Sequence, residues 1–221
     1  LEQYRRRRTK GLIAVKLKEG DELIGAVVTQ PGDELVLATA SGMAIRFPES
    51  DARPMGRDTS GVRGIKLGKG DSLVGLVVAD PSATLLTVCE KGYGKRTPFG
   101  AGTPLTEGEP SVATSAEESE TESSGMRYRT QRRGGKGVRD IKTTARNGKV
   151  VSIVSVRDED QVLMMTARGK LQRVNVGEIK AIGRNTQGVR IMRLDDADSL
   201  AAVVPVPPSE QEEPETVPEG E

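Results

Sequence analysis

Gly61-Val62-Arg63-Gly64-Ile65-Lys66-Leu67 is one of four versions of a single phrase. The others are Gly11-Leu12-Ile13-Ala14-Val15-Lys16-Leu17, Gly137-Val138-Arg139-Asp140-Ile141-Lys142 and Gly188-Val189-Arg190-Ile191-Met192-Arg193-Leu194. Their starts lie about 50, 76 and 51 residues apart, and the long interval contains an insertion. A period near 50 built from short strands marks a radial β-array, not one irregular core.

The units align internally. After the phrase comes a turn (Lys18 to Asp21, Gly68 to Asp71, Ala145 to Gly148), then an apolar strand, Leu23 to Val28, Leu73 to Val78 or Val150 to Val156. A second turn leads to Leu35–Thr39, Leu85–Cys89 or Val162–Thr166, then a tight glycine turn (Ser41-Gly42, Lys91-Gly92, Arg168-Gly169) and a short return strand. That predicts an all-β array of roughly four-stranded antiparallel blades, rich in Val, Ile, Leu and Thr and bounded by Gly, Asp and Pro. No stretch carries a helical period. Units start near 11, 61, 137 and 188, so residues 11–206 are read as three to four blades of a larger array, with 1–10 a basic lead-in from a preceding blade.

Aromatic residues are 2% of the chain and Trp is absent, so the core must be aliphatic. No apolar run is long enough to span a bilayer, so no membrane role is expected. With no His and one Cys, Cys89, a His- or Cys-based metal site and a disulfide framework are both excluded. Cys89 reads as a small buried hydrophobe.

The net charge of +1 conceals a segregation. Residues 105–126 carry Glu107, Glu109, Glu117, Glu118, Glu120 and Glu122 with no Lys or Arg, and the tail 207–221 carries six more Glu without a base. Setting those aside leaves about 20 carboxylates against 33 Lys and Arg, a strongly basic body. Both acidic segments are poor in apolar residues and are expected to be disordered. Two acidic tethers on a basic body suggest competition with a polyanion, the segments folding back over the basic surface.

Two columns of cations recur. Arg7, Arg57, Arg133 and Arg184 stand four residues before the phrase glycine; Arg46, Arg96 and Arg173 stand four after the tight-turn glycine, with Lys95 and Lys170 nearby. One reading is a basic stripe that holds phosphates, with neighbouring glycines letting backbone N–H groups approach. Such a stripe binds duplex by charge and shape, with little reading of base edges. The other reading pairs each Arg with a turn Asp or a blade edge. No aromatic platform for single strands is present.

Gln131-Arg132-Arg133-Gly134-Gly135-Lys136-Gly137 matches the signature box of the C-terminal domain of the bacterial DNA gyrase A subunit. With Gly92-Tyr93-Gly94-Lys95-Arg96-Thr97 and Gly183-Arg184-Asn185-Thr186-Gln187-Gly188, the resemblance runs from about Thr9 to Val206. It implies a β-pinwheel whose neighbouring blades exchange a strand and whose basic rim wraps double-stranded DNA. It also implies a type II topoisomerase holoenzyme that introduces negative supercoils using ATP and Mg2+. The implied partners are the remainder of the gyrase A subunit, together with the gyrase B subunit, in a heterotetramer of the bacterial cytoplasm at the nucleoid. By this resemblance Gln131, Arg132, Arg133, Gly134, Gly135, Lys136 and Gly137 contact DNA, with Arg46, Arg57, Lys95, Arg96, Lys170, Arg173 and Arg184 extending the track.

In that family the box usually stands near the first blade, whereas here it precedes the third unit, as a second or relocated copy. Met126-Arg127-Tyr128 resembles the Arg-Tyr pair of a topoisomerase cleavage site, but its surroundings lack that site's acidic metal ligands. There is no P-loop either, so this chain is expected to hold neither the catalytic tyrosine nor an ATP site or cofactor of its own. The alternatives are the equivalent domain of the decatenating topoisomerase IV, which lacks a good box, and a β-propeller scaffold for acidic proteins.

Overall fold

The computed structural model describes residues 13–56, 59–100 and 127–206. Eleven strands account for nearly all its regular structure: β1 (Glu34–Thr39), β2 (Met43–Pro48), β3 (Leu73–Val78), β4 (Thr84–Cys89), β5 (Tyr93–Pro98), β6 (Val138–Arg139), β7 (Val150–Val156), β8 (Gln161–Thr166), β9 (Leu171–Asn175), β10 (Val189–Arg190) and β11 (Leu200–Val206). They form three sheets with orders β3-β1-β2-β6, β10-β5-β4-β7 and β11-β8-β9.

The unit of sequence is not the unit of structure. Each blade is founded on one hairpin, β1–β2, β4–β5 or β8–β9, closed by a turn in which Gly42, Gly92 or Gly169 donates its N–H to the residue three before it. The apolar strand of the following unit pairs with that hairpin's first strand: β3 with β1, β7 with β4, β11 with β8. The Gly-led phrase of the unit after that closes the other edge, β6 on β2 and β10 on β5. A complete blade thus draws on three consecutive units, where the sequence reading placed four strands within each unit.

That wiring explains why two of the expected strands are not formed. Leu23–Val28 and the phrase at Gly61 occupy positions whose shared partner, by the pattern of the other units, is one hairpin preceding β1; no such hairpin lies among the described residues. Leu23 and Val28 are accordingly 62% and 71% exposed. The phrase at Gly11 begins outside the described residues, as do the acidic segment up to 126, the tail 207–221 and the lead-in 1–10.

The phrase glycines are required by the wiring. Gly137 and Gly188 have φ of 78° and 73°, the left-handed region that L side chains avoid. A Cβ on Gly137 would lie 2.3 Å from the Ala44 carbonyl oxygen, and one on Gly188 2.6 Å from that of Gly94. These backbones approach a neighbouring strand, not a ligand.

The core lies between blades. Val36, Ala38 and Ala44 pack with Leu85, Phe99, Tyr128, Ile141, Val150 and Ile153 across the first interface; Leu86, Val88 and Val154 pack with Val162, Met164, Val176 and Leu200 across the second. Cys89 sits at 0% exposure in the first cluster, where burial, reinforced by the Asp140 charge, pushes its thiol up to about 12. It stays a neutral hydrophobe, as read from its strand.

Turn aspartates lock the exchanged strands. Asp71, one turn before β3, accepts from the Ser41 N–H (2.9 Å) and hydroxyl (2.5 Å) at the tip of the β1–β2 hairpin. Asp198, before β11, accepts from the Arg168 N–H at the β8–β9 tip. Asp71 is opposed by burial but held below the ordinary carboxylate range by Ser41 and Thr39, and Asp198 is lowered chiefly by Thr166. Asp80 is lowered to about 2, first by Arg157 and then by Ser82. All three folded-state values are depressed, so their stabilisation is full above the unfolded value near 3.8 and is lost as pH falls towards 2. The melting temperature is expected to drop across that window, and D71N/D80N/D198N to flatten the drop. A melting temperature equal at pH 4 and pH 2 would overturn the assignment.

Candidate nucleic-acid interface

Two members of the column that follows the tight-turn glycine, Arg46 and Arg96, turn inward. Arg46 is 2% exposed; one guanidinium nitrogen donates to the carbonyls of Phe99 (2.8 Å), Gly100 (2.9 Å) and Tyr128 (3.1 Å), and another to Glu34 Oε2 at 2.6 Å. Arg96, the equivalent residue one blade on, donates to the Ile179 carbonyl at 2.6 Å and pairs with Asp158. In both blades a chain segment crosses the return strand in a parallel bridge, at Arg46–Thr130 and Arg96–Ala181. The crossing carbonyls have no ladder partner, and the guanidinium supplies one.

In the column before the phrase glycine, the described members Arg133 and Arg184 do the same work. Arg133 is half-buried and donates to the carbonyls of Asp51 (2.9 Å) and Arg63 (2.6 Å). Arg184, 6% exposed, donates to those of Arg127 (2.8 Å) and Arg139 (3.2 Å). Arg63 and Arg139 are corresponding residues of successive phrases, so the column recurs because each crossing segment must be fastened to the phrase before it. Lys95 is the extreme case, at 0% exposure, with Nζ 2.6 Å from Asp140 Oδ1 and 2.5 Å from Thr97 Oγ1. The expectation that Arg46, Lys95, Arg96 and Arg184 contact DNA is corrected here: each is at most 6% exposed and hydrogen-bonded within the fold, so they act as internal fasteners.

Asp140 centres the most buried polar cluster. Besides Lys95 it accepts from the Tyr128 hydroxyl (2.5 Å) and from Thr87 Oγ1 (2.7 Å). Tyr128 is 1% exposed and its hydroxyl is pushed well above the usual range, by burial first and the Asp140 charge second. A hydroxyl so placed serves the core, not a phosphate.

The box itself divides. Thr130 and Gln131 lie on the crossing; the Gln131 N–H donates to the Arg46 carbonyl at 2.7 Å, and its side-chain Nε2 is buried without a partner. Gly134 donates its N–H to the Gly64 carbonyl and Gly135 accepts from the Lys66 N–H, so these groups are engaged within the fold. Arg132 and Lys136 project outward. Of the remaining positions, Lys170 is exposed and 3.3 Å from Asp195, and Arg173 is exposed on β9, the edge of the third sheet. Arg57 lies outside the described residues.

A different set of cations is exposed at equivalent places. Counting forward from the phrase glycine, the third residue is Arg63, Arg139 or Arg190, and the sixth is Lys16, Lys66, Lys142 or Arg193; all seven are exposed. Arg139 stands opposite Met43 on β6, and Arg190 opposite Tyr93 on β10, corresponding register positions of successive blades. None of the seven is ion-paired among the described residues. The signal was in the phrases themselves, since the alignment that found two columns beside the phrase holds two more inside it. Burial, which separates fasteners from free cations, cannot be read from the alignment.

The profile described as "DNA gyrase C-terminal domain, beta-propeller" matches residues 1–30, 33–80, 127–157 and 160–207. The DNA gyrase A subunit of Escherichia coli (strain K12) is 41% identical over 218 residues, 98% of this chain and 22% of that protein. Its counterpart from Clostridium acetobutylicum is 40% identical over 210 residues, 95% of this chain and 22% of that one. The chain thus spans about a fifth of the length of these relatives. Among solved structures, a DNA gyrase A C-terminal domain superposes with a TM-score of 0.70 at 27% identity, covering 88% of this chain and 57% of that one. A topoisomerase IV C-terminal domain superposes at 0.74 with 21% identity, covering 93% and 56%, a likeness of fold. Repeat, strand exchange and sequence agree: the chain belongs to the family of DNA gyrase C-terminal domains.

Proposed function

We propose that this chain is a duplex-binding and duplex-wrapping module of the DNA gyrase A protein. The observation that carries this reading is the set of exposed cations at corresponding positions of successive phrases, none of them in an ion pair among the described residues; Arg132 and Lys136 of the box are exposed as well. Cations repeated at a blade-to-blade interval favour a ligand whose charge also repeats, and a polyphosphate backbone is such a ligand. Base-edge reading is not required, because the contacts are to phosphate. The module would act in the bacterial cytoplasm beside the remainder of the gyrase A protein and its gyrase B partner, with ATP, Mg2+ and strand cleavage supplied elsewhere in the holoenzyme. Family membership and the intact box favour gyrase over topoisomerase IV.

Ligation of nicked plasmid circles in the presence of the chain tests wrapping directly. The expected result is a shift in linking number that grows with the ratio of protein to DNA. Binding without any change in linking number would reduce the module to a basic surface, and preference for acidic peptides over duplex would favour the scaffold reading.

A further inference from the structure

Tyr93 opens β5, and its ring is buried in the first interblade cluster at 6% exposure. Two guanidinium groups meet it. The Arg146 Cζ lies 5.0 Å from the ring centroid and the Arg190 Cζ 5.4 Å, and Arg190 donates to the Tyr93 hydroxyl at 3.0 Å. The tyrosine hydroxyl is drawn below its usual range by hydrogen bonding, first to Arg146 and then to Arg190, so both cations act on one oxygen.

Two scaffolds hold the three residues. Arg190 is set opposite Tyr93 by the β10–β5 ladder. Arg146 sits in a turn organised by the buried Asn147, which accepts from the Thr144 N–H at 2.7 Å and donates to the carbonyls of Lys142 (3.0 Å) and Gln187 (3.1 Å). Both arginines are exposed, and neither has a carboxylate partner among the described residues. Two like charges facing one aromatic ring, without an acid between them, form a place where an anion relieves repulsion. A guanidinium fork also matches phosphate oxygens. The first blade has Met43 where Tyr93 stands, opposite Arg139, so the arrangement belongs to the second blade.

We propose that Arg146 and Arg190, set by Tyr93, form a two-arginine clamp for a single backbone phosphate of duplex DNA. The clamp rests on the DNA-binding reading above and fixes one point of the path.

The test is the salt dependence of binding of the full chain to a blunt duplex of random sequence, for R146A, R190A and R146A/R190A. A shared phosphate predicts that the double variant lowers the log–log slope by nearly one, about 3.5-fold in relative affinity between 50 and 200 mM salt. Each single variant should then lower it by less, since the remaining arginine still neutralises the group. Y93F keeps the ring and removes the hydroxyl; it is expected to weaken binding with the slope unchanged. Matching thermal unfolding curves verify that the variants are folded. A fall of nearly two in the double variant would mean separate phosphates and overturn the clamp, as would an unchanged slope. Failure of the unmodified chain to bind duplex would instead overturn the DNA-binding reading, and the clamp with it.

Discussion

Replacing Asp140 by Ala is expected to destabilise the fold by about 3–5 kcal/mol, the cost of leaving one member of a buried ion pair without the other. Lys95 and Asp140 have side-chain exposures of 0% and 1%, so water cannot take the place of the missing carboxylate. The loss does not stop at Lys95, because the hydroxyls of Tyr128 and Thr87 donate to the same carboxylate. Three donors from three segments would be left facing apolar surroundings. Chemical denaturation of D140A and K95A measures the effect, and K95M/D140L should recover a large part of it, since well-packed apolar replacements avoid the orphaned charge. A D140A variant within about 1 kcal/mol of the unmodified chain would show that the cluster is hydrated, contrary to its burial.

The second large effect concerns binding. R63A/K66A/R139A/K142A removes two exposed cations from each of two successive phrases and leaves the clamp residues intact. If each holds one phosphate, the salt slope falls by nearly four, and relative affinity between 50 and 200 mM salt changes by about 150-fold. R46A and R96A provide the contrast. Their guanidinium groups are spent on carbonyls and carboxylates inside the fold, so they should lower melting temperature and leave the slope of the folded fraction unchanged. Equal slopes for the quadruple variant and the unmodified chain would remove the phrases from the interface.

The blades were legible because their punctuation is local. Tight-turn glycines, Val- and Ile-rich runs and the recurring phrase each obey a rule that acts within a few residues. Strand exchange could be inferred from resemblance, but its register could not be derived, since Val138 belongs beside Ala44 only through a pairing almost a hundred residues away in sequence. The site was half legible. Arg46 and Arg139 look alike in an alignment, both being recurrent cations beside a glycine. They differ in what surrounds them. The Tyr128 carbonyl of the crossing segment and the Glu34 carboxylate draw Arg46 inward, while Arg139 sits at a sheet edge facing outward. Recurrence reports that a position matters to every unit, and says nothing of whether it matters to the fold or to a ligand.

The shared sheets also decide how the molecule answers a cut. Residues up to 100 supply β1, β2 and β3 to the first sheet and β4 and β5 to the second, while residues from 127 onward supply β6 to the first and β7 and β10 to the second. A protease nicking the stretch between these two pieces severs the chain but not the clasp. The halves stay sewn together along both ladders and along the Lys95–Asp140 pair, which joins one piece to the other.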